Sequence, residues 1–260
     1  MKNPKIIGLT GPAGSGKDTV AQVLQTHCGF AQIAFADALR DEICTAFGIP
    51  AWMLTQRDAK EMPTSKLALA NCNDDAFFAV ACCEIGWQSR QLNDPVVFES
   101  RSPRQIMRWW GTEYRRADNK NWWTLRLAAT VQDNLMRGIT NHVISDVRFD
   151  NEAQLIREMG GQIWQIKRPG CTVPAGSHPS ETDGSAFVPD VVIDNDQCLQ
   201  HLRSLALGAW LMQVANLSFA DLVRIGLSHV NPASAEYFAM SSMRLHALAV
   251  PKDTNQIRSI

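Results

Sequence analysis

The chain has 260 residues, with 25 lysines and arginines against 26 aspartates and glutamates, a formal net charge of -1, and 45% hydrophobic residues. That length buries one sizeable α/β core with an appendage, or two small domains. The charge balance argues against a generic nucleic-acid binder, which needs a basic excess, and the least charged long stretch, residues 204–220, is broken by Gln213 and Asn216 and reads as a buried helix rather than a membrane span.

The opening MKNPKIIGL has too short an apolar run for a secretory signal. The seven cysteines form no C-x-x-C pair and no zinc pattern with the histidines. Free thiols in a reducing cytoplasm are therefore expected.

The first element is IIGLTGPAGSGKDTVAQVL, residues 6–24. A β-prone run leads into a turn with Gly11, Gly14 and Gly16, then Lys17, then a helix with Val20, Val23 and Leu24 on one face. Strand, glycine loop and helix in that order make a polyphosphate cradle. Small residues let successive N–H groups face the anion, the helix start adds its positive end, and Lys17 supplies a cation to the β and γ phosphates. After Lys17 such loops usually carry Ser or Thr as a magnesium ligand; here Asp18 stands there, followed by Thr19. A carboxylate holds Mg2+ directly or through water, and it also suits a helix's first turn. Thr19 offers its hydroxyl or backbone to a phosphate.

A short second strand is predicted from Gly29 to near Phe35, and a helix from Asp37 with Leu39, Ile43 and Phe47 inward. Residues just past a parallel strand's carboxyl end face the ligand crevice. Asp37 and Arg40 are thus either contacts for a second substrate or a helix cap with a solvated partner. Between Ala51 and Asp94, helices are predicted around residues 51–61 and 75–85, with Pro50, Pro63 and Pro95 as breaks.

In SPRQIMRWWGTEYRRADNKNWW, Ser102 and Pro103 form an N-cap and first-turn pair, and Arg104 and Arg108 share a helix face. Gly111 and Thr112 are read as punctuation, and a second helix from near Asn119 is given Trp122, Leu125 and Ala129 as its apolar face. Clustered arginines suit bidentate phosphate recognition. The tryptophans either stack on a base or pack the core, the latter for most of them.

The block NHVISDVRFDNEAQLIREMGGQIWQIKRPG reads as a βαβ unit. A strand covers His142 to Ser145, Asp146 lies at its end, and Arg148 follows. A helix beginning at Asn151 and Glu152 stops at Gly160 and Gly161, and a strand over residues 162–166 leads to Lys167 and Arg168. Asp146 is placed to orient magnesium water, with Arg148 pointing into the same crevice; capping the following turn is the alternative. CTVPAGSHPSETDGSAFVP predicts a mobile loop or lid, in which His178 and Glu181 are spaced for a local hydrogen bond or for ligand contact. Asp190 to Asp194 is the last strand, and Asp196 is expected to cap a helix through Leu205. Helices from Ser218 and from Asn231 carry few basic residues, which fits packing or self-association into a homodimer better than DNA binding.

Taken together, GPAGSGKDT, SPRQIMRWWGTE followed by WW, SDVRFDNEAQLIREMGGQIWQIKRPG, and HPSE followed by DVVIDND resemble the bacteriophage deoxynucleoside monophosphate kinases over residues 5–205, least between Ala51 and Asp94. The resemblance implies an α/β, three-layer P-loop fold: a parallel sheet flanked by helices, with residues 50–140 a mainly helical substrate-covering insertion in a kinase domain of residues 1–207, and residues 208–260 a helical appendage. It implies transfer of the ATP γ-phosphoryl group, with Mg2+, to a deoxynucleoside 5′-monophosphate. Lys17, Asp146 and Arg148 would serve the chemistry. Ala13, Gly14, Ser15, Gly16, Lys17, Asp18, Thr19 and Arg168 would hold ATP, with Asp18 and Asp146 on the metal. Asp37, Arg40, Arg104, Thr112, Glu113, Trp123, Arg148, Glu152, His178 and Glu181 would hold the acceptor, and Arg168, His178 and Glu181 would belong to the closing loop. Two other readings stand beside it. The opening also resembles that of dephospho-coenzyme A kinases, and the chain could be a non-catalytic nucleotide-binding assembly module.

Overall fold

The structure, a computed structural model, describes residues 4–56, 58–87, 94–172 and 188–214. In chain order its elements are β1 (Lys5–Thr10), α1 (Lys17–Cys28), β2 (Ala31–Ile33), α2 (Phe35–Phe47), α3 (Trp52–Thr55), α4 (Asp75–Glu84), α5 (Pro103–Arg108), α6 (Trp122–Met136), β3 (Asn141–Ile144), α7 (Asp150–Glu158), β4 (Gln162–Lys167), β5 (Val191–Asp194) and α8 (Leu199–Ala209). Two compact units emerge: the described parts of Met1–Gln32, Gly138–Ser177 and Glu181–Ile260 form the first, and the described parts of Ile33–Arg137 form the second.

The first unit is built on a five-stranded sheet in the order β2-β3-β1-β4-β5. β1 runs parallel to both β3 and β4, and β4 runs parallel to β5. The two-residue period of β1 decides its layers. Ile7 and Leu9 join Val20, Leu24, Trp164, Ile166, Leu202 and Ala206 in one core, so α1 and α8 cover that face. Gly8 points the other way, where a Cβ would come within 2.6 Å of the Ile156 side chain of α7. Each fully buried Ile or Leu contributes about 1.5–3 kcal/mol relative to exposure, so this apolar sandwich holds the loop after β1 in place. The expected parallel sheet flanked by helices is thus present.

Some boundaries differ from expectation, each for a local reason. The second strand is only three residues long and its helix already starts at Phe35, because Asp37 caps that start from inside the first turn. Asp196 caps nothing in α8; Cys198 is the N-cap residue and makes no side-chain cap bond. α8 passes through residue 207 and continues as a π-helical turn over Trp210–Val214. The helices proposed from Ser218 onward lie outside the described residues, as does the segment holding His178 and Glu181.

His142 on β3 is fully buried, its ring nitrogens have no hydrogen-bond partner among the described residues, and burial lowers its pKa from the ordinary 6.5. It is neutral in the folded state, whereas the unfolded imidazole takes up a proton below about 6.5. Stability is therefore complete above that pH and declines as pH falls from there toward the folded pKa, by up to about 1.4 kcal/mol per pH unit. Urea melts of the parent and of His142→Leu between neutral and mildly acidic pH check this; the variant is expected to lose that part of the slope.

The second unit is helical. Ser102 caps α5 through its hydroxyl and Pro103 occupies the first turn, as its sequence predicts. Gly111 and Thr112 do not interrupt the chain. α5 continues as a π-helical stretch over Trp109–Arg116, because Trp109 and Trp110, 2% and 1% exposed, are worth more buried than a turn there would return. The face assigned to α6 was rotated: Leu125 is 61% exposed, while Trp123, Leu127 and Val131 point inward at helical spacing. Of the helix expected over residues 51–61, only Trp52–Thr55 forms. Phe77 is the centre of this core, 4.4 Å from the Trp110 ring and 5.9 Å from that of Tyr114.

Candidate phosphate-binding site

The loop from Gly11 to Gly16 requires glycine at its two ends. Gly11 has φ 135° and a Cβ there would lie 2.3 Å from the Ile166 carbonyl; at Gly16, φ 110°, it would lie 2.8 Å from Asn195 Nδ2 and from Leu202. A loop whose N–H groups converge on an anion must turn its carbonyls elsewhere, and each needs a donor. Lys17 Nζ donates to Gly11 O at 2.6 Å and to Pro12 O at 2.7 Å. Arg168 Nη1 donates to Gly14 O at 3.1 Å, Asn195 Nδ2 to Ser15 O at 2.8 Å, and Val20 N–H to Gly16 O at 3.1 Å. The carbonyls of Gly11, Pro12, Gly14, Ser15 and Gly16 are thus engaged, while α1 begins after Gly16 with no side chain capping it. That is an uncapped, positively polarised helix start beneath a glycine loop.

Burial is the main reason Lys17 has its pKa lowered from 10.5 to about 8. Repulsion from Arg148 adds to it, and Asp18, Asp146 and Cys171 pull the other way. These groups therefore share one neighbourhood. Asp146 and Arg148 reach it because the chain stays paired to β1 past β3: Val147 N–H donates to Leu9 O at 3.1 Å. Asp18 and Ala13 are exposed, Thr19 is half-buried, and Ser15 is fully buried with its hydroxyl unpartnered among the described residues.

Glu152, assigned by resemblance to the acceptor, lies at the turn after β3. It is 2% exposed, and its Oε2 accepts from the N–H groups of Arg148 at 2.8 Å and Phe149 at 3.2 Å. It clamps the turn that carries Arg148 and starts α7.

The remaining acceptor candidates lie in the helical unit. Asp37 accepts from Ala34 N–H at 2.8 Å and pairs with Arg40 at 2.7 Å, and it borders a recess of about 150 Å³ with Asp41, Leu127 and Thr130. Arg104 is paired with Glu61, and Arg108 lies 3.8 Å from Glu113, one residue after Thr112. Trp123 is a core residue, 3% exposed, with its indole N–H donated to Gly111 O at 3.0 Å. Arg115, counted among the clustered arginines, is also structural. It bonds Glu42 at 2.7 Å and lies over the rings of Tyr114 and Trp122 at 4.2 and 4.5 Å.

Two residues beside the loop escaped sequence reasoning, Asn195 and Cys171, and so did Glu42 within the helical unit. Asn195 directly follows the end of β5, as Asp146 lies two residues past the end of β3, and a place just beyond a parallel strand was the available signal. Among the described residues no three His, Cys, Asp or Glu side chains form a metal cluster. Asp18 and Asp146 suit a cation that takes most of its ligands from phosphate and water, as Mg2+ does. No described helix is long and apolar enough to cross a membrane.

A family model described as deoxynucleotide monophosphate kinase matches residues 51–205. A protein of Acanthamoeba polyphaga mimivirus, given the name of a deoxynucleotide monophosphate kinase provisionally, is 30% identical over 212 residues, covering 76% of this chain and 92% of its own. The deoxynucleotide monophosphate kinase of Enterobacteria phage T4 is 22% identical over 237 residues, 77% of this chain and 96% of that one. The deoxynucleoside-5′-monophosphate kinase of Escherichia phage T5 is 26% identical over 182 residues, 59% and 72% respectively.

Proposed function

Because the chain belongs to the deoxynucleotide monophosphate kinase family, we propose that it uses ATP and Mg2+ to convert a deoxynucleoside 5′-monophosphate to the diphosphate, releasing ADP. The observation that supports this reading is that Lys17, Asp146 and Arg148 lie together at a glycine loop whose carbonyls are held by Lys17, Arg168 and Asn195. A phosphate oxygen of the acceptor attacks the γ-phosphorus, the bond from that phosphorus to the bridging oxygen breaks, and ADP leaves with the electron pair. The attacking oxygen is already an anion, so no strong general base is needed, and the protein's contribution is alignment and charge neutralisation.

In this reading the backbone from Ala13 to Thr19 wraps the triphosphate, with Arg168 bracing the loop. Lys17 and Arg148 neutralise the migrating group. Asp18 and Asp146 would hold Mg2+, which when bound offsets phosphate charge. Asp37, Arg40, Arg104, Thr112 and Glu113 are our candidates for acceptor contacts, with His178 and Glu181 beyond the described residues.

Incubating the protein with ATP, Mg2+ and a panel of common dNMPs and NMPs, with products separated by chromatography, tests the proposal. ADP is expected to appear with the matching deoxynucleoside diphosphate in equal amounts, and a chelator is expected to stop both. Turnover with dephospho-coenzyme A alone would favour the other kinase reading, and ATP binding without acceptor-dependent turnover would favour a nucleotide-binding module.

A further inference from the structure

Asn195 is 8% exposed and fixed from two directions. Its backbone N–H donates to Lys167 O at 2.6 Å, at the end of β4, and its side-chain amide donates to Ser15 O at 2.8 Å, 180 residues away in sequence. The side chain is also in close packing with the loop, since a Cβ on Gly16 would meet Nδ2 at 2.8 Å. It therefore joins the end of β5 to the peptide immediately before the start of α1.

That peptide matters for chemistry. If Ser15 O rotates inward, the N–H of Gly16 in the same peptide plane rotates outward, and an oxygen dipole replaces a donor facing the anion. Solvent cannot hold the carbonyl out, because Ser15 is fully buried. Arg168, the donor to the preceding carbonyl, is exposed and long, whereas Asn195 is short and locked at its backbone. Preorganised donors act on phosphate without reorganising during the reaction.

We infer that Asn195 is a positioning residue for the phosphate donor: its amide holds the Ser15–Gly16 peptide in the orientation that binds the ATP phosphates. The inference rests on the glycine loop being the donor site. It does not act on the acceptor, so its removal separates the two substrates kinetically.

The test compares the full-length parent with Asn195→Ala, which deletes the amide, and Asn195→Asp, which keeps the shape but replaces the donor by a carboxylate. ATP binding is measured by calorimetry, KM is measured for ATP and for the best dNMP, and thermal melting is recorded. Both variants are expected to raise the KM for ATP by about tenfold, with the KM for the dNMP close to parental and the melting temperature lowered by only a few degrees for the one buried carbonyl left without its donor. Asn195→Asp is expected to recover ATP affinity as pH is lowered, when its carboxyl regains a proton to donate, while Asn195→Ala is not. An unchanged KM for ATP in Asn195→Ala overturns the inference, including the case in which only the charged variant is impaired. Equal rises in both KM values with a larger fall in melting temperature overturn it too, since a general structural role gives that result. A parent that binds no ATP overturns the donor-site reading itself; a parent and variants that bind ATP equally overturn only the role of Asn195.

Discussion

Lys17→Ala is expected to lose phosphoryl transfer by roughly a thousandfold or more, the scale on which a cation at a transferring phosphoryl group acts, while circular dichroism and thermal melting stay near parental. The chemistry loses a charge held out of water, where it acts most strongly. The fold loses little, because Lys17 packs against its own loop through Gly11 O and Pro12 O rather than into the apolar core. The same ammonium gives a pH signature. It titrates near pH 8, it binds polyphosphate when protonated, and kcat/KM reports the free protein. For the parent, kcat/KM for ATP is therefore expected to be flat below about pH 8 and to fall above it. Near-normal turnover by Lys17→Ala would remove Lys17 from the mechanism.

The largest loss of stability is expected at Glu42, which looks on sequence like an ordinary surface glutamate. Its Oε2 accepts from the Trp110 indole at 2.8 Å and Arg115 Nε at 2.7 Å; its Oε1 accepts from the Trp122 indole at 3.0 Å and lies 3.4 Å from Arg126. One carboxylate thus ties α2 to the π-helical stretch and to α6. Arg126 is half-exposed and its pairing adds little. Arg115 and the two indoles are different, because Glu42→Ala leaves two indole N–H groups unpaired and Arg115 with only the Asp74 carboxylate, 3.9 Å away. The group is half-buried, and a hydrogen bond to a charged group contributes about 1.5–3 kcal/mol; urea melts followed by tryptophan fluorescence should read a loss of that size. Glu42→Gln keeps two acceptor positions' shape but only one acceptor oxygen, and should fall between the two. A cost for Glu42→Ala below about 1 kcal/mol, the value of a surface pair, would mean the network is not holding the helices.

Local chemistry carried most of the fold into the sequence. Ile6 to Leu24 announce strand, loop and helix through an apolar run, three glycines and helical spacing, and all three appear. His142 to Ile166 did the same for β3, α7 and β4, and the strand end put Asp146 and Arg148 in the neighbourhood of Lys17. Ser102 and Pro103 set the start of α5 from the residues themselves. The sequence was less informative where a local signal could be outweighed. Gly111 reads as a stop only until the burial of Trp109 and Trp110 is counted, and the face of α6 was misread because Leu125 is as apolar as Leu127 yet exposed.

By itself, then, the sequence determined most of the elements, their order and the glycine loop, since backbone preference and side-chain periodicity are written within a few residues, and its motifs pointed to the kinase family. Only the tertiary structure decided what each polar group is bonded to. Asn195 reaches Ser15, and Glu42 reaches Trp110 and Trp122, 68 and 80 residues on, because sheet order and helix packing bring them together. A buried donor or acceptor must find a partner wherever the fold supplies one, and that partner leaves no mark in the residues on either side of it.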